Sequence, residues 1–214
     1  MTPAEIIVQV RPLVQDTRAP YRYSDTVLLG FVNQALKRMA MVRPDLFTVF
    51  ETVATNPNTV IQKLPSTATR LVEIYNVVGG NVITEVDKNA LDQAYPGWRS
   101  SASGQPVNYV RHVRNPTSYF LYPAPADGVM LVAEYAVAPT DYTINQEIDL
   151  LSDTYLPTLV DGTVFLSQSI DDEHINSGRA KMFQDSFNQT LIAGLQTRTI
   201  TDTDASGLDP RQVV

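Results

Sequence analysis

The chain contains no cysteine among its 214 residues. Disulfides, thiolate metal sites and cysteine nucleophiles are thereby excluded. Histidine is nearly as scarce. Only His112 and His174 are present, so the commonest general base and metal ligand has two places to act. Charged residues make up 18% of the chain, below the usual share of about a quarter. A surface this poor in charge fits one that partners partly cover. The balance is acidic, with a formal charge of −7, whereas a protein that grips phosphate backbones usually carries a basic patch. No apolar run approaches the ~18 residues of a membrane-spanning helix. The opening MTPAEIIVQV lacks the basic region and long apolar stretch of a secretory signal. These absences lead to the expectation of a protein made and kept in a cytosol, or in particles assembled there. Hydrophobic residues, at 43%, are common enough for a real core.

What is present is ordered along the chain. Thr2, Pro3 and Glu5 form a capping box with proline at the first helical position. Ile6, Ile7, Val10 and Leu13 follow at helical spacing, and Pro12 predicts a kink or an end near Arg11. A polar link over 15–23 leads to Ser24 or Asp25, either of which can cap a second helix. Its stripe is Leu28, Phe31, Val32, Ala35, Leu36 and Met39, and Pro44 stops it. Seven short Val-, Ile-, Thr- and Tyr-rich runs then predict antiparallel strands: LFTVFETVA, NTVIQKLP, TRLVEIYNVV, NVITEVD, VNYVRHVRN, YFLYP and VMLVAEYAV. Hairpin turns are expected at Gly79-Gly80 and at Asn115-Pro116. A third apolar hairpin is expected from YFLY through Pro123 and Gly128 into VMLVAEYAV. KNALDQAYPGWRSSASGQPVNY reads as a helical turn followed by a loop.

After Pro139 helical spacing returns. Leu156, Leu159, Val160, Val164 and Phe165 mark one helix, with Pro157 in its first turn and Gly162 a weak point in its middle. Another helix is expected to start at 171–173 and to present Ile175, Met182, Phe183, Phe187, Leu191 and Leu195 on one face. Segregated helices and strands predict an α+β fold. The expected organisation is a helical bundle from 1–46 plus 140–198, an inserted antiparallel β module over 47–139, and an extended tail over 199–214. Phe31 or Leu36 is expected to meet the Met182–Leu195 face.

Catalytic chemistry finds no footing. Asp171, Asp172, Glu173 and His174 have metal-ligand chemistry, but four consecutive residues at a helix start point in different directions. Compensation of the helix dipole explains them better. His112 shares a strand face with Arg114, opposite Arg111, and sequence supplies no nucleophile or carboxylate beside it. The two arginines could touch nucleic acid, but a solvated strand face is the preferred reading. VVGGNV lacks the helix and lysine of a phosphate loop. Trp98, the only tryptophan, has two open roles: an interface anchor, or a plug at the edge of the core. No enzyme activity, catalytic residue, cofactor or metal is expected.

The order of several features resembles the head-to-tail adaptor proteins of tailed bacteriophages. In LDQAYPGWRSSASGQPVNYVRHVRNPTSYFLYPAPADGVMLVAEYAVAP these are Pro96, Trp98, Gly104, Pro106, Tyr109, Tyr122, Pro123 and Pro125. The flanks are similar too: YRYSDTVLLGFVNQALKRMAMVRPDLF resembles the family's early helix, and LSDTYLPTLVDGTVFLSQSIDDEHINSGRAKMFQDSFNQTL its paired C-terminal helices. The departure is PTLVDGTV, where the family usually has a bulkier helix. The resemblance implies a structural protein of the virion's head–tail junction, made in the bacterial cytoplasm. It implies a homo-oligomeric ring, expected to be dodecameric, beneath the portal protein. Tail nozzle or tube proteins would bind on the other side, and double-stranded DNA would pass through non-specifically. It also implies that the C-terminal segment reaches the portal or an adjacent subunit through Ile200, Leu208, Pro210, Arg211, Val213 and Val214. Trp98, Tyr122, Pro123 and Pro125 are candidates for a second interface, toward the tail or a neighbour. A different reading is a β module that binds a ligand such as carbohydrate, carried on a helical scaffold. It calls for a monomer or small oligomer with an aromatic groove. A third, an enzyme using His112 or His174, calls for a pocket with a nearby carboxylate.

Overall fold

Thr2 caps α1 (Pro3–Leu13) through the capping box with Glu5, and Ser24 caps α2 (Asp25–Val42). Pro12 sits in the last turn of α1, where the chain leaves the helix after Leu13. The computed structural model describes residues 1–170 and 177–206, with side chains of the last helix from Gly178 to Gly194. The fold is α+β, with two compact units: one built from both chain ends, through Arg43 and again from Pro139, and one spanning Pro44–Ala138.

In the helical unit, α4 (Leu156–Gln168) packs against α1, α2 and α5 (Ser177–Ser206). Gly162 explains itself here. A Cβ at this position would lie 2.8 Å from the Phe187 ring and 3.2 Å from Cβ of Ala35, so the glycine is where three helices come closest. The missing bulk in PTLVDGTV is therefore a packing requirement. On α5 the buried face runs through Ala180, Phe187 and Leu191. Met182, expected on that face, is 72% exposed, because it lies two residues after Ala180, about 200° round the helix and so on its far side. Residues 171–176, including the acidic run and His174, lie outside the described residues. The expected extended tail from 199 is also corrected in part: α5 continues to Ser206. No glycine or proline interrupts 195–206, and Gly207 is the first breaker.

The link between α1 and α2 is built rather than merely polar. Arg11 pairs with Asp16 at 3.0 Å, with Asp25, and with the carbonyl of Tyr23, and its guanidinium lies 3.8 Å from the centre of the Tyr21 ring. Buried Asp16 also accepts the backbone N–H groups of Arg22 and Tyr23. The Asn33 side chain bonds both backbone groups of Tyr142, tying α2 to the segment that re-enters this unit.

The strand unit holds two sheets. One has the order β1-β7-β3, from Thr48–Ala54, Met130–Val137 and Ala68–Val77. The other has the order β2-β6-β5-β4, from Ile61–Lys63, Ser118–Tyr122, Asn108–Arg111 and Thr84–Glu85. Leu71, Ile74, Leu121, Leu131 and Tyr135 belong to the core cluster that both sheets feed. The turns at Gly79-Gly80 and Asn115-Pro116 form as expected, with Gly79 at φ +68°. Two expectations fail. NVITEVD yields only the two-residue β4, and it pairs parallel to β5. The third hairpin does not exist, because β6 and β7 lie in different sheets. Pro123 and Pro125 cannot donate to a ladder, and between and beyond them the carbonyl of Ala124 and the N–H of Ala126 are both taken by Gly104. The chain thus leaves one sheet at Tyr122 and enters the middle of the other at Met130.

Candidate partner-binding surfaces

Most of the residues that carry the adaptor resemblance converge on one corner of the strand unit. Asp87 caps α3 (Lys88–Ala94), which brings Asp92 under the following loop. Asp92 accepts hydrogen bonds from Lys88 Nζ and Trp98 Nε1, both at 2.7 Å, and from Arg99 at 3.3 Å. The bonds from Lys88 and Trp98 hold its carboxyl below the ordinary aspartate pKa. The Trp98 ring meets Phe120 and Tyr122 edge-on, at centroid distances of 5.8 and 6.4 Å, within a cluster that includes Val60, Leu91, Val110 and Ala124. At 1% exposure Trp98 is a core plug, not a surface anchor. Pro125 is buried against Gly104, and Pro123 is half-buried. The accessible remainder of this corner is Tyr122, half-buried, with Tyr95 packed on it at 5.6 Å and 56% exposed. Sequence reasoning missed Tyr95; its place after α3, beside the Trp98 loop, was the available signal.

Arg111 and His112 are engaged within the strand unit, while Arg114 is exposed. Arg111 donates to Glu85 and to the carbonyls of Leu71 and Val72, so it clips β5 to β3. His112 stacks on Phe120, and its Nδ1 accepts the N–H groups of Arg114 and Asn115, a turn cap. Among the described residues no group of three or more His, Asp or Glu side chains is arranged to hold a metal. No described helix is long and apolar enough to cross a membrane.

Of the C-terminal candidates, Ile200 lies on α5, and its side chain is outside the described set. Leu208, Pro210, Arg211, Val213 and Val214 lie outside the described residues altogether. The helical unit exposes Val8, Met41 and Met182, while the strand unit exposes Phe50, Val82 and Val113, all large apolar side chains more than half accessible. Such residues singly are ordinary.

No curated protein matches the chain. A family model does, described as SU10 adaptor protein and aligned over residues 1–211. That span takes in both units and the residues on which the resemblance rests, and the chain therefore belongs to the SU10 adaptor protein family of bacteriophage head–tail adaptors.

Proposed function

We propose that this phage adaptor acts as a homo-oligomeric ring beneath the portal, joining the capsid to the tail and surrounding the path of exiting DNA. The observation that carries the reading is the family match over residues 1–211, which makes the chain a structural virion component that meets other head and tail proteins. Composition supports the finer statement. A chain low in charge, at 18% of its residues, suits extensive subunit contact, and a net charge of −7 suits a channel that does not retain DNA. Twelve copies is the stoichiometry this reading adopts. In it, the segment holding Ile200, Leu208, Pro210, Arg211, Val213 and Val214 docks on the portal or an adjacent subunit. Tyr122, with Pro123 and Pro125 shaping its strand exit, faces a tail protein or neighbour.

Mass measurement of the chain alone and with portal protein tests the ring. A closed multimer, alone or on portals, is expected; a chain that stays monomeric with and without portal overturns it. Truncation after Ser206 tests the tail without shortening α5. The shortened chain keeps its helix content and melting behaviour and fails to join portal rings. Assembly on portals equal to that of the full chain removes the docking role.

A further inference from the structure

β1 is an edge strand of its sheet, and no described residue bonds its outer side. Its seven residues pair with β7 without a register shift, from Thr48 opposite Ala136 to Ala54 opposite Met130. The bonds that bracket the ladder, Val137 N–H to Phe47 O at 2.8 Å and Thr55 N–H to Val129 O at 3.3 Å, fix its phase. Val49, Glu51 and Val53 bond toward β7. Thr48, Phe50, Thr52 and Ala54 turn their N–H and C=O groups the other way, and no described residue bonds them. Phe50, Glu51, Thr52 and Ala54 are exposed.

The other edges are protected. β2 and β4 have three and two residues. β3 is broken by register shifts, and its outer side is met by the Pro116 carbonyl, by Asn81 and Ile83, and by the Arg111 guanidinium. Of the usual protections β1 carries only a single charge, Glu51: TVFETVA has no proline, no lysine and no bulge. A long, flat, bare edge in a molecule that guards its others is a place where a strand is added.

Glu51 decides whose strand it is. If two copies paired β1 to β1 antiparallel over all seven residues, Glu51 would sit directly opposite Glu51, in chains that each carry a charge of −7. The carboxylate is held in place by Tyr135 Oη at 2.6 Å, so it cannot simply swing clear without losing that bond. We propose that the outer edge of β1 is a strand-addition site for an extended segment of a different polypeptide, one with a basic residue opposite Glu51 and uncharged β-forming residues opposite Phe50 and Thr52. Main-chain bonds to Thr48, Phe50, Thr52 and Ala54 supply the affinity, and Glu51 and Phe50 supply the choice. The site stands whether or not the chain closes into a ring.

The test uses the full chain and a labelled, capped peptide, Thr-Val-Thr-Lys-Val-Val-Thr, which places lysine opposite Glu51 when antiparallel. Saturable binding is expected, with the lysine peptide about fivefold tighter than its glutamate counterpart. Glu51→Gln should erase most of that difference. N-methylation at the first, third, fifth and seventh residues, whose N–H groups face β1, should abolish binding; methylation at the second, fourth and sixth should leave most of it. Thr52→Pro removes an outward N–H and no ladder bond, and it should also prevent binding. The proposal is overturned by no saturable binding, by equal effects of the two methylation patterns, or by a chain that self-associates and becomes monomeric on Thr52→Pro. The last result would make the occupant a second copy. The methylated peptides keep the test valid if the proline variant fails to fold.

Discussion

The two units settle their polar groups with different emphasis, although ion pairs also occur in the strand unit, at Glu85 and Asp92, and one phenol, Tyr142, meets Asp149 in the helical unit. The helical unit uses charge: the Arg11–Asp16–Asp25 cluster organises a loop, and buried Arg43 donates to the Leu191 carbonyl on α5. The strand unit uses phenols. Tyr75, Tyr109 and Tyr135 each run an apolar ring along the sheets and give the hydroxyl to a carboxylate: Glu134, Glu85 and Glu51, at 2.8, 2.9 and 2.6 Å. A helix offers the loop that follows it free carbonyls and N–H groups that an ion can gather. A sheet has spent its backbone bonds, so its polar side chains must reach the rim, and tyrosine is long enough to do so. Each of these phenols is pushed up in pKa, away from neutrality.

The largest break in this contrast comes from Trp98. Trp98→Ala should cost about 4 kcal/mol, because it empties the centre of a small cluster and removes one of the three donors to Asp92. As the only tryptophan, its fluorescence in the parent chain reports the strand unit alone, while far-ultraviolet circular dichroism reports mainly helices. Denaturation of Trp98→Ala should therefore move near-ultraviolet tyrosine signals, to which the strand unit gives six tyrosines and the helical unit four, more than the helical signal. Equal shifts in both would mean that the units unfold as one. Next in size is Asp16→Ala, at about 3 kcal/mol, since it removes one of the acceptors of Arg11 and the buried carboxylate that takes two backbone N–H groups. Here the helical signal should shift and the tryptophan fluorescence should not.

Gly162→Ala should cost about 1 to 2 kcal/mol, the overpacking against Phe187 exceeding the helix propensity gained. Combining it with Phe187→Leu should recover part of that loss in a thermal melt. A fully additive pair would show that the glycine is not a crossing point.

Gly162 also marks the limit of what the sequence discloses. The capping box at Thr2, the stripe on α2 and the strand character of 48–137 were legible because each is a local pattern of period 3.6 or 2. Reading Gly162 as a weak point followed from local propensity, and its real reason, contact with Ala35 and Phe187, lies 127 and 25 residues away. The same holds for the false hairpin: the strands YFLYP and VMLVAEYAV were legible, but which sheet each joins depends on Gly104 and β1. Trp98 could be narrowed to two roles from its loop, and only Asp92, Phe120 and Tyr122 together choose the core. The strand-addition edge was invisible, since TVFETVA reads alike in the middle of a sheet and at its margin.

The smallest effect at neutral pH is the most specific to the strand unit. Tyr135→Phe removes one hydrogen bond to Glu51 and should cost about 1 kcal/mol. Its stronger signature is alkaline. Burial, and then the hydrogen bond to Glu51, push the Tyr135 phenol up to about 12 from an ordinary value of 10. The native state therefore holds this proton more tightly than the unfolded chain does. Above pH 10 the unfolded state begins to ionise first, so the stability linked to Tyr135 is complete below pH 10 and drains away as the pH rises toward about 12. Tyr75 and Tyr109, also raised to about 12, act in the same direction and in the same unit. Alkaline denaturation followed by tryptophan fluorescence should thus precede loss of the helical signal. Tyr135→Phe should make the strand unit's stability fall less steeply over that window, while leaving the helical unit's slope unchanged. An unchanged slope in the strand unit would mean that the phenol–carboxylate pairs do not set its alkaline limit, and the contrast with the charged helical unit would lose its clearest consequence.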